Sequence, residues 1–396
     1  MDRREGWQNP GDSILLGDAQ RILTGPQRTP PPSRNGAGMD SDDSFTTGPG
    51  RFHINGDYSF SRIIVGGWQF SSGHGALGQN PEAAAELFAQ LLDRGFTTFD
   101  CADIYRGVEE LIGGFLLAHR HSGHPAQIQV HTKFVPDLAV LPTIDKAYVV
   151  GIIDRSLSRL GVERLDLVQF HWWDFSVPGF VETAHWLKEL QEVGKIRHLG
   201  VTNFDGDHLD EIVSSGISVV SNQVQYSALD RRPGKGLAQY CRDQGIVLLC
   251  YGALAGGFLT DQYGSVDERP EELANRSLTK YRLIIDELGG WGAYRSILDA
   301  LKAVARRHRT ATASIALKWV LDQPGVAATI TGMDSVNQAD QLLGISGLSL
   351  DEEDQSILGA ALTRAVGPGG DVYELERDMA GPHGRIMRYN LNRDRG

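Results

Sequence analysis

The sequence predicts an α/β protein of the (β/α)8, or TIM-barrel, class, and three observations lead to this fold. From Arg62 onward, short apolar runs alternate with amphipathic segments many times over. The runs are almost continuously apolar, as in a parallel sheet that is covered on both faces. Eight such units in roughly 290 residues match a closed barrel of about 250 residues. A doubly wound open sheet would need a Gly-x-Gly-x-x-Gly turn after an early strand, and Val65-Gly66-Gly67-Trp68 does not provide one.

The individual elements follow from the periodicity of the apolar residues. In the first predicted helix, Leu87, Leu91 and Leu92 repeat at the helical period. Strands are predicted over residues 63–65, 97–99, 128–132, 165–170, 198–201, 219–224, 246–250 and 328–331. Helices are predicted over residues 82–94, 109–119, 144–160, 180–193, 207–214, 236–244 and 351–362, with a longer pair within 294–321.

Three parts of the chain are distinguished by composition. Residues 1–50 are rich in Pro, Gly, Ser and Asp, which predicts a disordered leader. Residues 51–365 form the predicted barrel, and residues 366–396 form a C-terminal tail. Residues 256–292 are polar and Gly-rich, and we interpret them as a long loop at the catalytic face of the barrel.

Charge and composition exclude several classes of partner. The formal net charge of −12 argues against a nucleic acid or an anionic membrane, since both bind basic surfaces. The cysteines Cys101, Cys241 and Cys250 lack metal-ligand spacing and fit free thiols in a reducing compartment. There is no apolar run near the 18 residues of a membrane span and no signal peptide. We therefore expect a cytoplasmic protein without a metal site.

Four ionisable side chains stand at the ends of three successive predicted strands. Asp100 and Tyr105 follow the second strand, Lys133 ends the third, and His171 follows the fourth. The carboxyl ends of barrel strands meet at one face of the molecule, where catalytic residues gather. We therefore expect these four side chains to share one site.

This set suits proton transfer to a carbonyl oxygen. A free tyrosine has a pKa of about 10, and a neighbouring lysine ammonium lowers it, while a carboxylate fixes the lysine. The Tyr105 phenol can then protonate a developing alkoxide, and His171 can donate a hydrogen bond to the same oxygen. An acid aimed at a carbonyl, without metal ligands or a serine nucleophile, indicates reduction by hydride transfer. The hydride must come from a cofactor, because no side chain carries one.

Further motifs follow in order along the chain. They are the run from Asp100 to Tyr105, Thr132-Lys133, Gln169-Phe170-His171, GKIRHLGVTNF at 194–204, NQVQY at 222–226 and YGALAGGFLT at 251–260. Each motif alone is weak, but the ordered set resembles the aldo-keto reductase family from about Arg62 to Gly344. The resemblance implies that Asp100, Tyr105, Lys133 and His171 form the catalytic tetrad, with Tyr105 as the proton donor.

The resemblance also implies a nicotinamide cofactor extended over the barrel, so that no Rossmann fingerprint is needed. Thr202, Asn203 and Gln223 would hydrogen-bond the carboxamide, and Tyr251 would stack on the nicotinamide ring. The loop at 252–260 would cover the pyrophosphate with its backbone N–H groups, and its glycines would permit close approach. The loop residues assigned to the cofactor are Gly252, Ala253, Leu254 and Gly256.

The segment after the eighth predicted strand indicates which of the two nicotinamide cofactors, NAD or NADP, would be used. Gly332, Asp334 and Gln338 stand where the family commonly places Lys or Arg on the 2′-phosphate of NADP. NADP is the family default, but Asp334 would repel a phosphate, so we expect NAD to be used as well. Two further departures from the family are Cys101, in place of threonine, and Arg106, in place of glycine.

The substrate is expected to be a small carbonyl compound or alcohol held by aromatic residues. Trp68 follows the first strand and Trp172 and Trp173 follow the fourth, and we assign Trp68 and Trp172 to the substrate pocket. In this family the tail often lines that pocket; here it either does so or packs on the barrel exterior or a neighbouring subunit. A monomer or small homo-oligomer is expected. The alternative function is a cofactor-binding regulatory or sensor subunit on the same barrel, like the potassium-channel β-subunits.

Overall fold

A computed structural model describes residues 48–54, 58–72, 77–263, 273 and 275–392. The predicted disordered leader lies outside the described residues as far as position 47. In the described part of the chain, no helix is both long enough and apolar enough to cross a membrane.

Eight parallel strands close into a barrel in the order β10-β3-β4-β5-β6-β7-β8-β9. The predicted fold class is therefore confirmed, and each of the eight predicted strands overlaps an observed one. The barrel strands are β3 (Ile63–Gly66), β4 (Thr98–Asp100), β5 (Gln129–Phe134), β6 (Leu165–Phe170), β7 (Ile196–Thr202), β8 (Ser221–Gln225), β9 (Val247–Tyr251) and β10 (Val326–Thr331).

Helices surround the barrel, and some of them pack on other helices or belong to the tail. Several begin at a side-chain cap: Asn80 accepts a hydrogen bond from the Ala83 N–H, and Asp145 accepts one from the Tyr148 N–H. The helices are α1 (Pro81–Asp93), α2 (Val108–Ser122), α3 (Lys146–Leu160), α4 (Phe180–Glu192), α5 (Gly206–Ser214), α6 (Leu237–Asp243), α7 (Arg276–Leu288), α8 (Trp291–His308), α9 (Thr312–Leu321), α10 (Val336–Leu342), α11 (Glu352–Arg364) and α12 (Glu374–Arg377).

A short antiparallel hairpin closes the amino-terminal end of the barrel. It consists of β1 (Arg51–Ile54) and β2 (Tyr58–Ser61). The buried Tyr58 hydroxyl lies 3.0 Å from His131 Nε2, and the Phe60 ring packs edge-on against the same histidine. Because this end is filled, any site inside the barrel must open at the carboxyl end of the strands.

The interpretation of residues 256–292 as a single loop is wrong, because the segment contains the helix α7. Asn275 caps this helix by accepting a hydrogen bond from the Leu278 N–H. The helix buries Leu278, Ile284, Ile285 and Leu288. Its apolar residues recur at helical spacing, but the Gly-rich and polar sequence around them led to the interpretation as a loop. Burial of this face stabilises the helix.

Candidate active site

One cavity of about 1120 Å³ opens at the carboxyl ends of the barrel strands. Its walls are the strand ends, the segment around α7 and the C-terminal tail. All four members of the predicted tetrad, Asp100, Tyr105, Lys133 and His171, line it. The structure thus brings together side chains from three neighbouring strands, as the strand order requires.

Asp100 and Lys133 form a buried ion pair at the base of the cavity. Lys133 Nζ lies 2.5 Å from Asp100 Oδ2 and 2.9 Å from the Cys101 carbonyl oxygen. Burial lowers the pKa of the Lys133 ammonium, but the charge and hydrogen bond of Asp100 outweigh it, and the pKa is raised. Lys133 therefore stays charged at neutral pH.

Two glutamine side chains hold the second oxygen of Asp100. Gln223 Nε2 lies 2.7 Å and Gln169 Nε2 lies 3.0 Å from Asp100 Oδ1. Gln223 Nε2 is also 2.7 Å from Gln169 Oε1. From the sequence, Gln169 was recognised only as part of a motif, and its hydrogen bond to Asp100 was not predicted. Its place two residues before His171, on the inward face of a barrel strand, was the available signal.

Tyr105 lies beside the ion pair and faces the cavity. Lys133 Nζ is 5.1 Å from the centroid of the Tyr105 ring, and the Trp68 ring packs edge-on at 4.9 Å. Burial raises the pKa of the phenol, whereas the Lys133 charge lowers it, and burial prevails. The phenol is therefore protonated at neutral pH, as a proton donor must be.

His171 is held in one tautomer by the backbone. Its Nδ1 lies 3.2 Å from the Thr202 carbonyl oxygen, and a carbonyl can only accept, so Nδ1 carries the proton. Burial, and then the charges of Arg377 and Lys133, lower the pKa of the imidazole to about 3, so the ring is neutral. Nε2 is then an unprotonated acceptor that is buried without a hydrogen-bond partner among the described residues. The expected donor role of His171 would require the opposite tautomer.

Every residue assigned to the cofactor lines the same cavity. The Tyr251 hydroxyl donates to Asn203 Oδ1 at 2.9 Å, and Asn203 holds a left-handed backbone with φ of 62°. The Gln223 amide nitrogen donates to Asp100 Oδ1 and Gln169 Oε1. The full set is Thr202, Asn203, Gln223, Tyr251, Gly252, Ala253, Leu254, Gly256, Gly332, Asp334 and Gln338.

The glycines of the loop after β9 have a second role that the sequence did not reveal. Gly252 and Gly256 have φ of +71° and +68°, and a Cβ on either would lie 2.6 Å or 2.8 Å from the Tyr281 side chain. Tyr281, on α7, therefore packs directly on this loop. The glycines are needed for this contact, whatever else approaches the loop.

The segment after β10 places an acidic residue in the cavity wall. The Asp334 N–H donates to Gln338 Oε1 at 2.9 Å, which shapes the turn into α10. Among the described residues that line the cavity, the cations are Lys133, Lys280, Arg276 and Arg388. None of them comes from the segment after β10.

Trp172 was assigned to the substrate pocket, but it does not line the cavity. Trp172 is fully buried, and its indole N–H donates to the carbonyl oxygens of Asp174 and Val177. Trp173 lines the cavity instead, with its ring edge-on to His171 at 4.4 Å. The chain leaves β6 at this point, and strand alternation no longer predicts which way a side chain faces. Trp68 lines the cavity as expected.

The C-terminal tail covers one side of the cavity, as in the pocket-lining alternative. The Tyr373 ring packs edge-on to His171 at 5.5 Å. Glu376 contacts Arg232 Nη1 at 3.3 Å and Lys280 Nζ at 3.7 Å. The tail residues that line the cavity are Tyr373, Ile386, Met387, Arg388 and Leu391.

Asp103, which the sequence left without a role, anchors the end of this tail. Its buried carboxylate accepts hydrogen bonds from the Val135 N–H at 3.2 Å and from Asn392 Nδ2 at 3.3 Å. Burial and the nearby Glu109 charge raise the pKa of Asp103 to about 7. The residue is thus structural and is separate from the tetrad.

Comparisons with known proteins agree with the barrel fold described above. Residues 62–362 match the profile of the aldo/keto reductase family. The chain is 30% identical over 322 residues to "Aldo-keto reductase YhdN" of Bacillus subtilis, covering 78% of this chain and 93% of that protein. It is 29% identical over 217 residues to the "NADH-specific methylglyoxal reductase" of Escherichia coli, covering 52% of this chain and 61% of that protein. A structure of the glycerol dehydrogenase AKR11B4 from Gluconobacter oxydans superposes with a TM-score of 0.66 at 25% identity, covering 81% and 97% of the two chains. The chain therefore belongs to the aldo-keto reductase family of oxidoreductases.

Proposed function

We propose that the protein is an NAD(P)-dependent oxidoreductase that reduces an aldehyde or ketone to the alcohol, or catalyses the reverse. The observation that carries this proposal is the chain of contacts from Asp100 through Lys133 to Tyr105 inside the cavity. It provides a protonated phenol beside a fixed positive charge. That is the arrangement a carbonyl oxygen needs when it gains negative charge.

Each side chain in and around this series of contacts has a distinct part in the mechanism. Gln169 and Gln223 fix Asp100, and Asp100 fixes Lys133 with its charge retained. Tyr105 donates its proton to the carbonyl oxygen, and the Lys133 ammonium stabilises the phenolate that remains. His171 Nε2, which lacks a proton, is suited to accept a hydrogen bond from the hydroxyl of the alcohol.

A nicotinamide dinucleotide fits the remaining residues of the cavity. Asn203 and Gln223 would hold the carboxamide, Tyr251 would contact the ring, and the loop at 252–257 would face the pyrophosphate. Support comes from their shared cavity and from the Gln223 amide oxygen, to which no hydrogen bond is seen within the described part of the chain. A bound nicotinamide supplies the hydride.

We expect the preference for NADPH to be weak, so that NADH is used as well. Asp334 would repel the 2′-phosphate, and the Escherichia coli relative is named as NADH-specific. Asp334→Arg should raise kcat/KM for NADPH about tenfold by adding one charged hydrogen bond, whereas Asp334→Asn, which only removes the repulsion, should raise it less. Steady-state kinetics with both cofactors measure this. A strong NADPH preference in the unaltered enzyme would contradict the expectation.

The partner class and location are part of the same proposal. The substrate is a small molecule, and the protein acts as a monomer or small homo-oligomer in the cytoplasm. The three cysteines are buried and unpaired, which fits a reducing compartment.

A substrate screen tests the proposed reaction. Aldehydes, ketones and alcohols are supplied with each cofactor, and the nicotinamide absorbance is followed. Turnover of a generic aldehyde such as a nitrobenzaldehyde supports the proposal. Cofactor binding without turnover across the whole panel would refute it and favour the regulatory-subunit alternative.

A further inference from the structure

Two arginines that line the cavity have no acidic partner among the described residues. Arg276, in the first turn of α7, and Arg388, in the tail, both line the cavity. Arg276 donates a hydrogen bond to the Ile386 carbonyl oxygen. Within the part of the chain that the structure describes, neither side chain has a carboxylate at ion-pair distance. Two like charges that share a cavity are unfavourable until an anion neutralises them.

The other two cations of the cavity are already neutralised. Lys133 is paired with Asp100, and Lys280 lies 3.7 Å from the Glu376 carboxylate. Among the described cations that line the cavity, the two arginines are therefore the ones without a described carboxylate at ion-pair distance.

The tail brings the two arginines to neighbouring positions. Arg276 donates a hydrogen bond to the carbonyl oxygen of Ile386, which lies two residues before Arg388. Burial, and then the charge of Arg388, lower the pKa of the Arg276 guanidinium, in agreement with this contact. The two arginines therefore contribute positive charge to the same part of the cavity wall.

Arg276 lies near the catalytic tyrosine. The next residue, Ser277, accepts a hydrogen bond from the Trp68 indole N–H at 3.2 Å. The Trp68 ring in turn packs edge-on against Tyr105 at 4.9 Å. One tryptophan side chain thus lies between the helix turn that carries Arg276 and the proton donor.

Arg388 lies near the catalytic histidine by a similar path. The next residue, Tyr389, packs edge-on against Trp173 with ring centroids 5.1 Å apart. Trp173 packs against His171 at 4.4 Å. Each arginine thus adjoins in sequence a residue that contacts one of the two tryptophans packed on Tyr105 and His171, and both arginines line the same cavity. The segment after β10, with Asp334, forms another part of the wall.

We propose that Arg276 and Arg388 bind a carboxylate or phosphate on the substrate whose carbonyl group faces Tyr105. This inference rests on the proposed carbonyl reduction and specifies its substrate class, a carbonyl compound that carries an anionic group. Guanidinium groups suit this role because their paired N–H donors match both carboxylate and phosphate oxygens. Among the described residues, three acids line the cavity: Asp334 belongs to the segment after β10, and the other two are engaged. Asp100 is paired with Lys133, and Asp261 accepts hydrogen bonds from Thr312.

Two matched pairs of aldehydes test the proposal. The carboxylate pair is 4-carboxybenzaldehyde and the neutral 4-formylbenzamide, which have nearly the same shape. The phosphate pair is glyceraldehyde 3-phosphate and glyceraldehyde. The measured quantity is the ratio of kcat/KM for the anionic aldehyde to that for the neutral one. We expect a ratio of at least about tenfold in one pair, which identifies the anion.

Variants locate the source of this selectivity. Arg388→Met and Arg276→Met should each lower the ratio about tenfold, since each removes a charged hydrogen bond to the anion. Arg388→Met is the cleaner variant, because no described hydrogen bond is lost with it, whereas Arg276 also bonds the Ile386 carbonyl oxygen. Arg385→Met is the matched control: Arg385 is an exposed arginine of the same tail segment that does not line the cavity. It should leave the ratio unchanged.

A binding measurement separates failure of this subsite from failure of the proposed reaction. Quenching of tryptophan fluorescence, to which Trp68 and Trp173 contribute, gives dissociation constants for 4-carbamoylbenzoate and the neutral terephthalamide. Tighter binding of the anion that Arg388→Met abolishes supports the subsite even where no aldehyde is reduced. Reduction of the aldehydes with equal ratios in the unaltered and Arg388→Met enzymes would overturn the subsite and leave carbonyl reduction standing.

Discussion

Tyr105→Phe is expected to lower kcat by roughly 10²–10⁴, the contribution of a positioned general acid. The substitution removes one hydroxyl and keeps the ring that packs against Trp68. Lys133 cannot take over the role of acid, because the adjacent Asp100 charge and hydrogen bond offset the effect of burial and raise the pKa of its ammonium. Neutral His171 has its proton committed to the Thr202 carbonyl oxygen.

Single-turnover kinetics with saturating cofactor measure this effect on the chemical step. The cofactor dissociation constant should stay within a few-fold of that of the unaltered enzyme, because the assigned cofactor residues are untouched. Tyr240→Phe is the control: it removes a phenol that donates to Asp210 on the outside of the barrel. A Tyr105→Phe enzyme with an unaltered rate would show that another group is the acid.

The barrel and the common location of the four tetrad residues were predictable because both depend on local patterns. Most barrel strands contain or adjoin a short apolar run between polar turns, and such runs indicate buried strands. Asp100, Lys133 and His171 are each at or next to the end of such a run. Once the strands are placed in a parallel barrel, their common location follows from the topology alone.

The parts that were missed depend on contacts between distant segments. The helix α7 lies in a polar, Gly-rich segment, and its contacts with the barrel show that it is an ordered part of the cavity wall. Gln169 contacts Gln223 across 54 positions of sequence, and the tail residue Asn392 reaches Asp103 across 289. Trp172 and Trp173 are neighbours with the same chemistry, and only the direction of the chain after β6 separates them. The types of residue and their spacing in the sequence do not indicate which distant residues will contact each other.

Glu376 presents the second large expected effect, because it connects the tail to the barrel through buried charges. Its carboxylate lies between Arg232, which also pairs with Asp230 at 2.7 Å, and Lys280. These four side chains balance to zero net charge. Glu376→Gln would leave a buried excess cation, and removal of one partner from a buried pair typically costs about 3–5 kcal/mol. The tail can relieve this cost by leaving the barrel.

We therefore expect Glu376→Gln to release the tail before the barrel unfolds. Limited proteolysis should cut the tail of the variant many times faster than that of the unaltered protein, and activity should fall as the wall containing Tyr373 is lost. Glu374→Gln changes an exposed carboxylate of the same short helix and serves as the control. The double variant Glu376→Gln with Lys280→Met restores the charge balance and should recover part of the protection, which a double-mutant cycle quantifies. Equal protection of the tail in the Glu376→Gln and unaltered proteins would mean that the tail is held by its aromatic and backbone contacts alone.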